Sequence, residues 1–492
     1  MSAESSGVTR RDFLKLAIST GAAIGIAAAA FGTGVGVGYA VAESLTKAVK
    51  TVVKTKVEVL KIKPAFIYIG PIGDCGWTFG HDRGRRYVEE RLGPILNGTV
   101  YVENVSPVNL VSKVDDLVHL ENCNLVFTTS FSFWQQTWEA AEKYPHVLFG
   151  HCSGLLKMET KTGTKVAPPN VCEYFTDLYE AYYLCGILAG AMTKTGKVGY
   201  IPAFILPEIR RHINAFTIGV KVGAALTGKD PDKVHVYVTP PLGNWVASDE
   251  AIDSAFSQIL STGCDVFAFT EDTARLIAKA EKYYRTTGRR IWTFSHYSDM
   301  HMYGPDVVLS GQLINWGPMY EELVVRAYIV FACARQLMNE GLGKDKAFEE
   351  ALRLWTEWPP ERPRDYWWSM HQSHYIPLEL DKAFRVIGER VVGGKTFKMY
   401  EPVNVVDIWP PHPAVPENIK NYVLLVRRLI IENKHDPFCP PIGIYDEYGR
   451  LRKVVIEEIR DTSGRVRVYP GTRLSKDELY HMDWFVEGVV LL

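Results

Sequence analysis

Three groups of residues in this chain have the types and spacing to do chemistry. Gly150-His151-Cys152-Ser153-Gly154 follows an apolar run and has the outline of a nucleophile elbow with cysteine in the reactive place. No positioned base can be named for it, so catalysis is not expected. Met300-His301-Met302 offers two thioethers and an imidazole, a soft set suited to copper. Neighbouring side chains rarely converge on one ion, and His371 and His374 lack a further ligand, so neither metal nor cofactor is expected. No Gly-x4-Gly-Lys-Ser/Thr phosphate loop occurs. The third group is carboxylates and aromatic rings set just beyond apolar runs: Asp74 with Trp77, then Phe204, Asp272 and Asp299, with the hydroxyls of Thr129 and Ser130. Flat rings stack on flat ligands, and carboxylates accept from N–H donors. Such a set binds a small molecule. Each member also has a plainer use. Asp74 can cap a turn. Thr129, Ser130 and Asp272 can cap helices. Trp77 and Phe204 can be packing.

These residues need elements to hold them. Short apolar runs alternate with amphipathic stretches from residue 65 onward, which predicts βαβ units and a parallel sheet. Strands are expected at Ala65-Phe-Ile-Tyr-Ile, Val100-Tyr-Val-Glu-Asn-Val, Leu125-Val-Phe-Thr-Thr and Val147-Leu-Phe-Gly. Helices are expected from Gly84 to Leu92, Leu110 to Leu120 and Gln135 to Lys143. After a helix from Leu178 to Lys194 the rhythm restarts, with strands at Val198, Val234, Val266 and Ile291 and helices from Glu208, Ala251 and Asp272. Two such sets predict two doubly wound α/β lobes, with ligands beyond the carboxyl ends of the strands and in the cleft between the lobes. The first lobe is expected over 63–176, the second over 177–298, and a return to the first over 299–338. An insertion over 339–400, rich in Trp and Pro, is expected to pack on one lobe. The segment 401–492 is expected to complete both.

Thr9-Arg10-Arg11-Asp12-Phe13-Leu14-Lys15, followed by an apolar stretch to about Ala42, resembles a twin-arginine export signal. Residues 1–42 are therefore read as an address and 43–62 as a linker. Ala40-Val41-Ala42 fits a cleavage site. The stretch is also long enough to stay as a membrane anchor. Either way the body is expected to work outside the cytoplasm. A net charge of −1 gives no basic field for nucleic acid. The eight cysteines are scattered, mostly in apolar runs, and read as buried thiols, with one or two disulfides left open.

Ile69-Gly-Pro-Ile-Gly-Asp-Cys-Gly-Trp-Thr-Phe-Gly-His-Asp82 resembles the first ligand loop of the basic-membrane-protein (PnrA-like) family, the substrate-binding proteins of ABC importers. Further segments match in order. They are Phe127-Thr-Thr-Ser-Phe131, Tyr179-Glu180 with Tyr183-Leu-Cys-Gly-Ile-Leu-Ala-Gly190, Pro202 to Phe216, Ser298-Asp-Met300, Asn315-Trp-Gly-Pro318 and Met482 to Gly488. The resemblance implies a type I periplasmic-binding-protein fold, two Rossmann-like lobes joined by a hinge, and no enzymatic activity. It implies a purine ligand and an ABC permease as partners. A purine needs aromatic faces for its ring and polar groups for its edge. By resemblance Asp74 meets the base edge, and Trp77 and Phe204 cover its faces. Thr129, Ser130, Glu180, Asn214, Trp245, Asp272, Asp299 and Asn315 complete the set. Asp74 and Asp299 are expected in exposed strand-end loops, and Glu180 and Asn214 on helices bordering the cleft.

The chain departs from the family pattern in three places, one of them the 339–400 insertion. Ile314 stands where nucleoside-binding members carry a lysine toward the sugar. Asn244-Trp245-Val246-Ala247-Ser248 replaces a stretch that includes an Asp after the Trp. Losing a charged sugar partner favours a bare nucleobase, or a ligand other than a nucleoside. A ligand-binding sensor or surface protein of the same fold, uncoupled from transport, is the alternative.

Overall fold

A computed structural model describes residues 60–160, 163–357, 364–372 and 382–492. The export-signal reading, most of the linker, and Trp358, Pro359, Pro360, Pro363 and His374 lie outside these residues. Among the described residues no helix is long and apolar enough to cross a membrane. All eight cysteines are free thiols, six of them buried.

The chain divides into two compact units. The first holds residues 60–71, His81–Phe175 and Trp316–Trp367; the second holds Ile72–Gly80, Thr176–Asn315 and Trp368–Leu492.

The first unit is built on a six-stranded sheet. Its order is Asp365–Trp368, Val171–Thr176, Leu148–Cys152, Leu125–Thr128, Pro64–Ile67, Val100–Val102. The pairs from Val171–Thr176 across to Val100–Val102 are all parallel. The four central strands are buried at every residue. Helices cover both faces of such a sheet, which is why these strands read as unbroken apolar runs. The Leu110–His119 helix buries Leu110, Val114 and Leu117, one stripe at helical spacing. The strand order reverses between Pro64–Ile67 and Leu125–Thr128, and the loops after those two strands lie at the end where open parallel sheets generally take ligands.

The second unit repeats the plan. Its sheet runs Val266–Phe269, Lys197–Ile201, His235–Val238, Val489–Leu491, all parallel. Here the order reverses between Lys197–Ile201 and Val266–Phe269. A second sheet joins Thr293–Tyr297 in parallel to Val308–Ile314, and Val308–Ile314 antiparallel to Val406–Ile408. Two long helices, Leu178–Met192 and Pro207–Leu226, are buried along nearly their whole length. They approach backbone to backbone: a Cβ on Gly186 would lie 2.1 Å from the Phe216 carbonyl oxygen, and one on Gly219 2.1 Å from that of Tyr183. Only glycine permits that spacing.

Several boundaries differ from expectation. The helix predicted from Gly84 begins at Trp77, and the one predicted from Asp272 begins at Arg275. The return to the first unit comes at Trp316, not residue 299, because Val308–Ile314 pairs within the second unit. The 339–400 segment is not one insertion. Its Lys344–Thr356 helix belongs to the first unit, where Trp355 is fully buried under Arg326, and its Phe384–Val392/Lys395–Pro402 hairpin belongs to the second. Residues 401–492 complete only the second unit, ending in its edge strand.

Candidate ligand-binding site

Nine of the eleven candidate residues lie in the second unit, and Thr129 and Ser130 in the first. In the second unit three loops meet at the carboxyl end of the sheet where the strand order reverses. Pro202–Leu206 follows the first strand and carries Phe204. The Pro240–Trp245 loop is tied to it, with Leu242 N–H donating to Pro202 O and Gly243 N–H to Ala203 O, both at 2.9 Å. The loop after Val266–Phe269 carries Asp272, whose N–H donates to Trp245 O at 2.8 Å. The Phe204 and Trp245 rings meet edge to face at 4.9 Å.

The Ile72–Gly80 segment docks on this cluster. A Cβ on Gly76 would stand 2.5 Å from the Asp272 carbonyl oxygen, so only glycine lets the loop come this close. Asp74 is buried, and its carboxylate accepts from the N–H groups of Gly76 (2.9 Å), Thr78 (2.8 Å) and Phe79 (2.9 Å). These are the unpaired donors of the Trp77–Leu92 helix start, where a negative charge is favoured. Burial outweighs them and pushes Asp74 up to about 6. Asp74 is therefore not in an exposed loop; its oxygens hold the helix start in shape. The capped turn presents Trp77, half-buried, with its ring 5.3 Å from that of Tyr297.

Asp272 is different. Burial pushes its carboxyl well above the usual range, the charges of Asp74 and Glu271 push further, and the Trp77 backbone N–H opposes them. Its Oδ1 is buried and has no hydrogen-bond partner. At 3.8 Å stands Nε2 of His296, also buried and without a partner. On the other side of the imidazole, Nδ1 lies 2.9 Å from the Tyr182 hydroxyl and 2.7 Å from Gln312 Nε2. Burial holds the ring neutral, and accepting at Nδ1 leaves its proton on Nε2. The pair thus offers one N–H donor and one carboxyl oxygen, side by side and unspent. Tyr297, next along, has φ of 61°, a left-handed value that a tyrosine adopts only when its surroundings impose it. Its ring packs 3.6 Å from His296, and its hydroxyl donates to Glu208 at 3.2 Å.

The other candidates are occupied within the fold. Asp299 is buried, with Oδ1 accepting from His301 Nδ1 at 2.6 Å and Oδ2 from Tyr400 N–H at 3.1 Å. Asn214 does not border an opening: its amide donates to Trp484 O (3.0 Å) and its oxygen accepts from Val486 N–H (2.8 Å), fixing the C-terminal segment. Glu180 is buried and accepts from Met370 N–H at 2.7 Å, its carboxyl pushed well up by burial and by Asp177. Asn315 donates to Pro402 O at 2.8 Å. In the first unit Thr129 Oγ1 donates to Ile67 O at 2.9 Å, and half-buried Ser130 caps the short Phe131–Phe133 turn. Both sit at that sheet's reversal point.

His296 and Tyr297 were missed in the sequence. The signal was present: a histidine extending an apolar strand toward Ser298-Asp299 must be buried and must find partners. The elbow-like Gly150–Gly154 turn has no free base, because His151 spends Nδ1 on Glu173 (2.5 Å) and Nε2 on Ser130 O (3.0 Å).

Two α/β units, each built on a parallel sheet with loops gathered at its carboxyl end, define the type I periplasmic-binding-protein fold. Residues 61–328 match the family described as ABC transporter substrate-binding protein PnrA-like, and the chain belongs to that family. It is 32% identical over 261 residues to a purine-binding protein of Brucella abortus (strain 2308), covering 53% of this chain and 67% of that one. It is 28% identical over 304 residues to a putative ABC transporter glucose-binding protein of Haloferax volcanii, covering 61% and 68%. Among solved structures, an ABC transporter solute-binding protein from Aeropyrum pernix K1 aligns with a TM-score of 0.46 at 18% identity, covering 60% of this chain and 86% of that one. Membership of that family makes the chain an ABC-transporter substrate-binding protein; the family is non-enzymatic and extracytoplasmic.

Proposed function

We propose that the protein binds a purine nucleobase at the Asp272–His296 pair and delivers it to an ABC permease. The observation that carries this reading is the unspent donor and acceptor, 3.8 Å apart, beside the half-buried rings of Trp77, Phe204 and Trp245. A purine edge that carries an acceptor next to an N–H donor complements such a pair. Adenine has one in N7 and its 6-amino group. The purine-binding relative supports the same ligand class. Ile314 is a buried aliphatic strand residue, so position 314 supplies no cation for a sugar. Asp74, on this reading, shapes the loop that presents Trp77. Thr129, Ser130, Glu180, Asn214, Asp299 and Asn315 support the binding elements.

Calorimetry with adenine, hypoxanthine, guanine, their nucleosides and glucose tests the reading. Micromolar or tighter binding of a free base, with weaker binding of its nucleoside, is expected. Clearly tighter nucleoside binding overturns the base preference, and binding of glucose alone overturns the purine class. Coupling to transport is checked by whether the loaded protein stimulates ATP hydrolysis by its reconstituted permease; a sensor would not.

A further inference from the structure

The Phe384–Val392/Lys395–Pro402 hairpin lies beyond the family-matched residues 61–328, yet it touches two of the site's loops. From the first strand, Arg390 Nη1 donates to Cys75 Sγ at 2.7 Å and to the Tyr303 hydroxyl at 2.8 Å. Its guanidinium lies 5.6 Å from the centre of the Phe79 ring. From the second strand, Tyr400 N–H donates to Asp299 Oδ2 at 3.1 Å, and the Phe397 ring meets His301 edge-on at 5.9 Å. Cys75 itself has φ of 69° in the turn between Asp74 and Gly76, and its carbonyl accepts from the Ser298 hydroxyl. A non-glycine residue in that conformation needs surroundings that hold it there. One guanidinium nitrogen shared between Cys75 and Tyr303 ties the Ile72–Gly80 loop to the His301–Tyr303 turn.

We infer that the hairpin is a brace for the ligand loop and that Arg390 is its positioning residue, fixing the turn that presents Trp77 without touching the ligand. This rests on the reading of Ile72–Gly80 as a ligand loop. Fastening the loop before the ligand arrives reduces the ordering cost of binding. Arginine suits the task because a single guanidinium nitrogen carries two N–H groups, one for each acceptor, while its planar face lies near an aromatic ring.

The test uses the full chain with Arg390→Ala and Arg390→Lys. Hydrogen exchange is followed at the Gly76, Thr78 and Phe79 amides and, as a control, in the Glu417–Ile431 helix. Without ligand, Arg390→Ala is expected to speed exchange in the loop about tenfold and leave the control helix unchanged. Adenine affinity is expected to fall about tenfold, and Arg390→Lys, which keeps the charge, to recover part of both losses. Unchanged loop exchange in Arg390→Ala overturns the brace. So does a loosened loop with full affinity, or equal loosening of the control helix. If the parent protein binds no purine, the proposed ligand fails, while the exchange experiment still decides the brace.

Discussion

Oδ1 of Asp272 and Nε2 of His296 stand 3.8 Å apart, both buried, and neither makes a hydrogen bond. Buried polar groups in proteins are nearly always paired, so two facing each other unpaired mark a place reserved for something else. A carboxyl with Asp74 and Glu271 nearby also costs stability. Asp272→Asn keeps the shape and removes the charge. Its melting temperature is expected to equal or exceed the parent's, while ligand affinity falls by about 1.5–3 kcal/mol, the range for a hydrogen bond to a charged group. Thermal melts and calorimetry on one preparation check this. A loss of stability with full affinity would assign Asp272 to the fold.

His296→Phe fills the same space without the Nε2 donor. Affinity is expected to fall about tenfold, which corresponds to one hydrogen bond. Some destabilisation is expected too, since Tyr182 and Gln312 lose their shared acceptor. His296→Gln restores a donor and is expected to bind better than His296→Phe. Equal affinities for the two variants would argue against a direct contact.

Asp74 sets a pH dependence of folding. Its ordinary value is 3.8 and burial raises it to about 6 in the folded protein. Between these values the folded state holds a proton that the unfolded chain has lost, so the slope of stability against pH is negative. This contribution is fully present below pH 3.8 and is lost as pH rises through 6. Asp74→Asn still offers an oxygen to the helix start. Relative to the parent, it should be more stable at pH 7 than at pH 4, as read from urea unfolding at both values. An equal difference at the two pH values would show that Asp74 is not raised.

His435 acts in the opposite sense. Burial, with Arg473 nearby, lowers it from 6.5 to about 3, and only its Nδ1 is partnered, by the Tyr445 hydroxyl at 2.9 Å. Below pH 6.5 the unfolded chain takes up a proton that the folded state refuses. Stability from this group is therefore whole above pH 6.5 and lost as pH falls toward 3. His435→Gln is expected to flatten the stability profile between pH 6.5 and 4.5, by up to about 1.4 kcal/mol per pH unit. Denaturant curves across that interval measure it, and a profile parallel to the parent's would refute it.

Gly186→Ala tests the helix crossing. The added methyl would lie 2.1 Å from the Phe216 carbonyl oxygen, and backbone cannot move aside as a side chain can. A loss of about 1–3 kcal/mol or more is expected. A neutral outcome would mean that the two helices pack further apart.

Much of the architecture was legible in the chain. Period-2 and period-3.6 patterning is a local property, and the fully buried strands announced themselves as apolar runs. The positions of Asp74, Trp77, Phe204 and Asp272 just after such runs were legible for the same reason: strand ends put loops at one edge of a parallel sheet. What each residue does there was not. Asp74 and Asp299 look like Asp272 in sequence, yet the first two spend their oxygens on backbone amides and His301, and Asp272 retains a free one. That difference depends on which distant groups arrive at each carboxylate. His296 approaches Asp272 from 24 residues along the chain, and Arg390 reaches Cys75 across 315. The allocation of the 339–400 segment to two units, and of the C-terminal strand to the edge beside His235–Val238, likewise follows from long-range pairing. Composition and periodicity determine which elements form and in what order; only tertiary packing decides where some of them begin, as at Trp77 and Arg275, and which polar atoms at their ends are already satisfied and which remain open to a ligand.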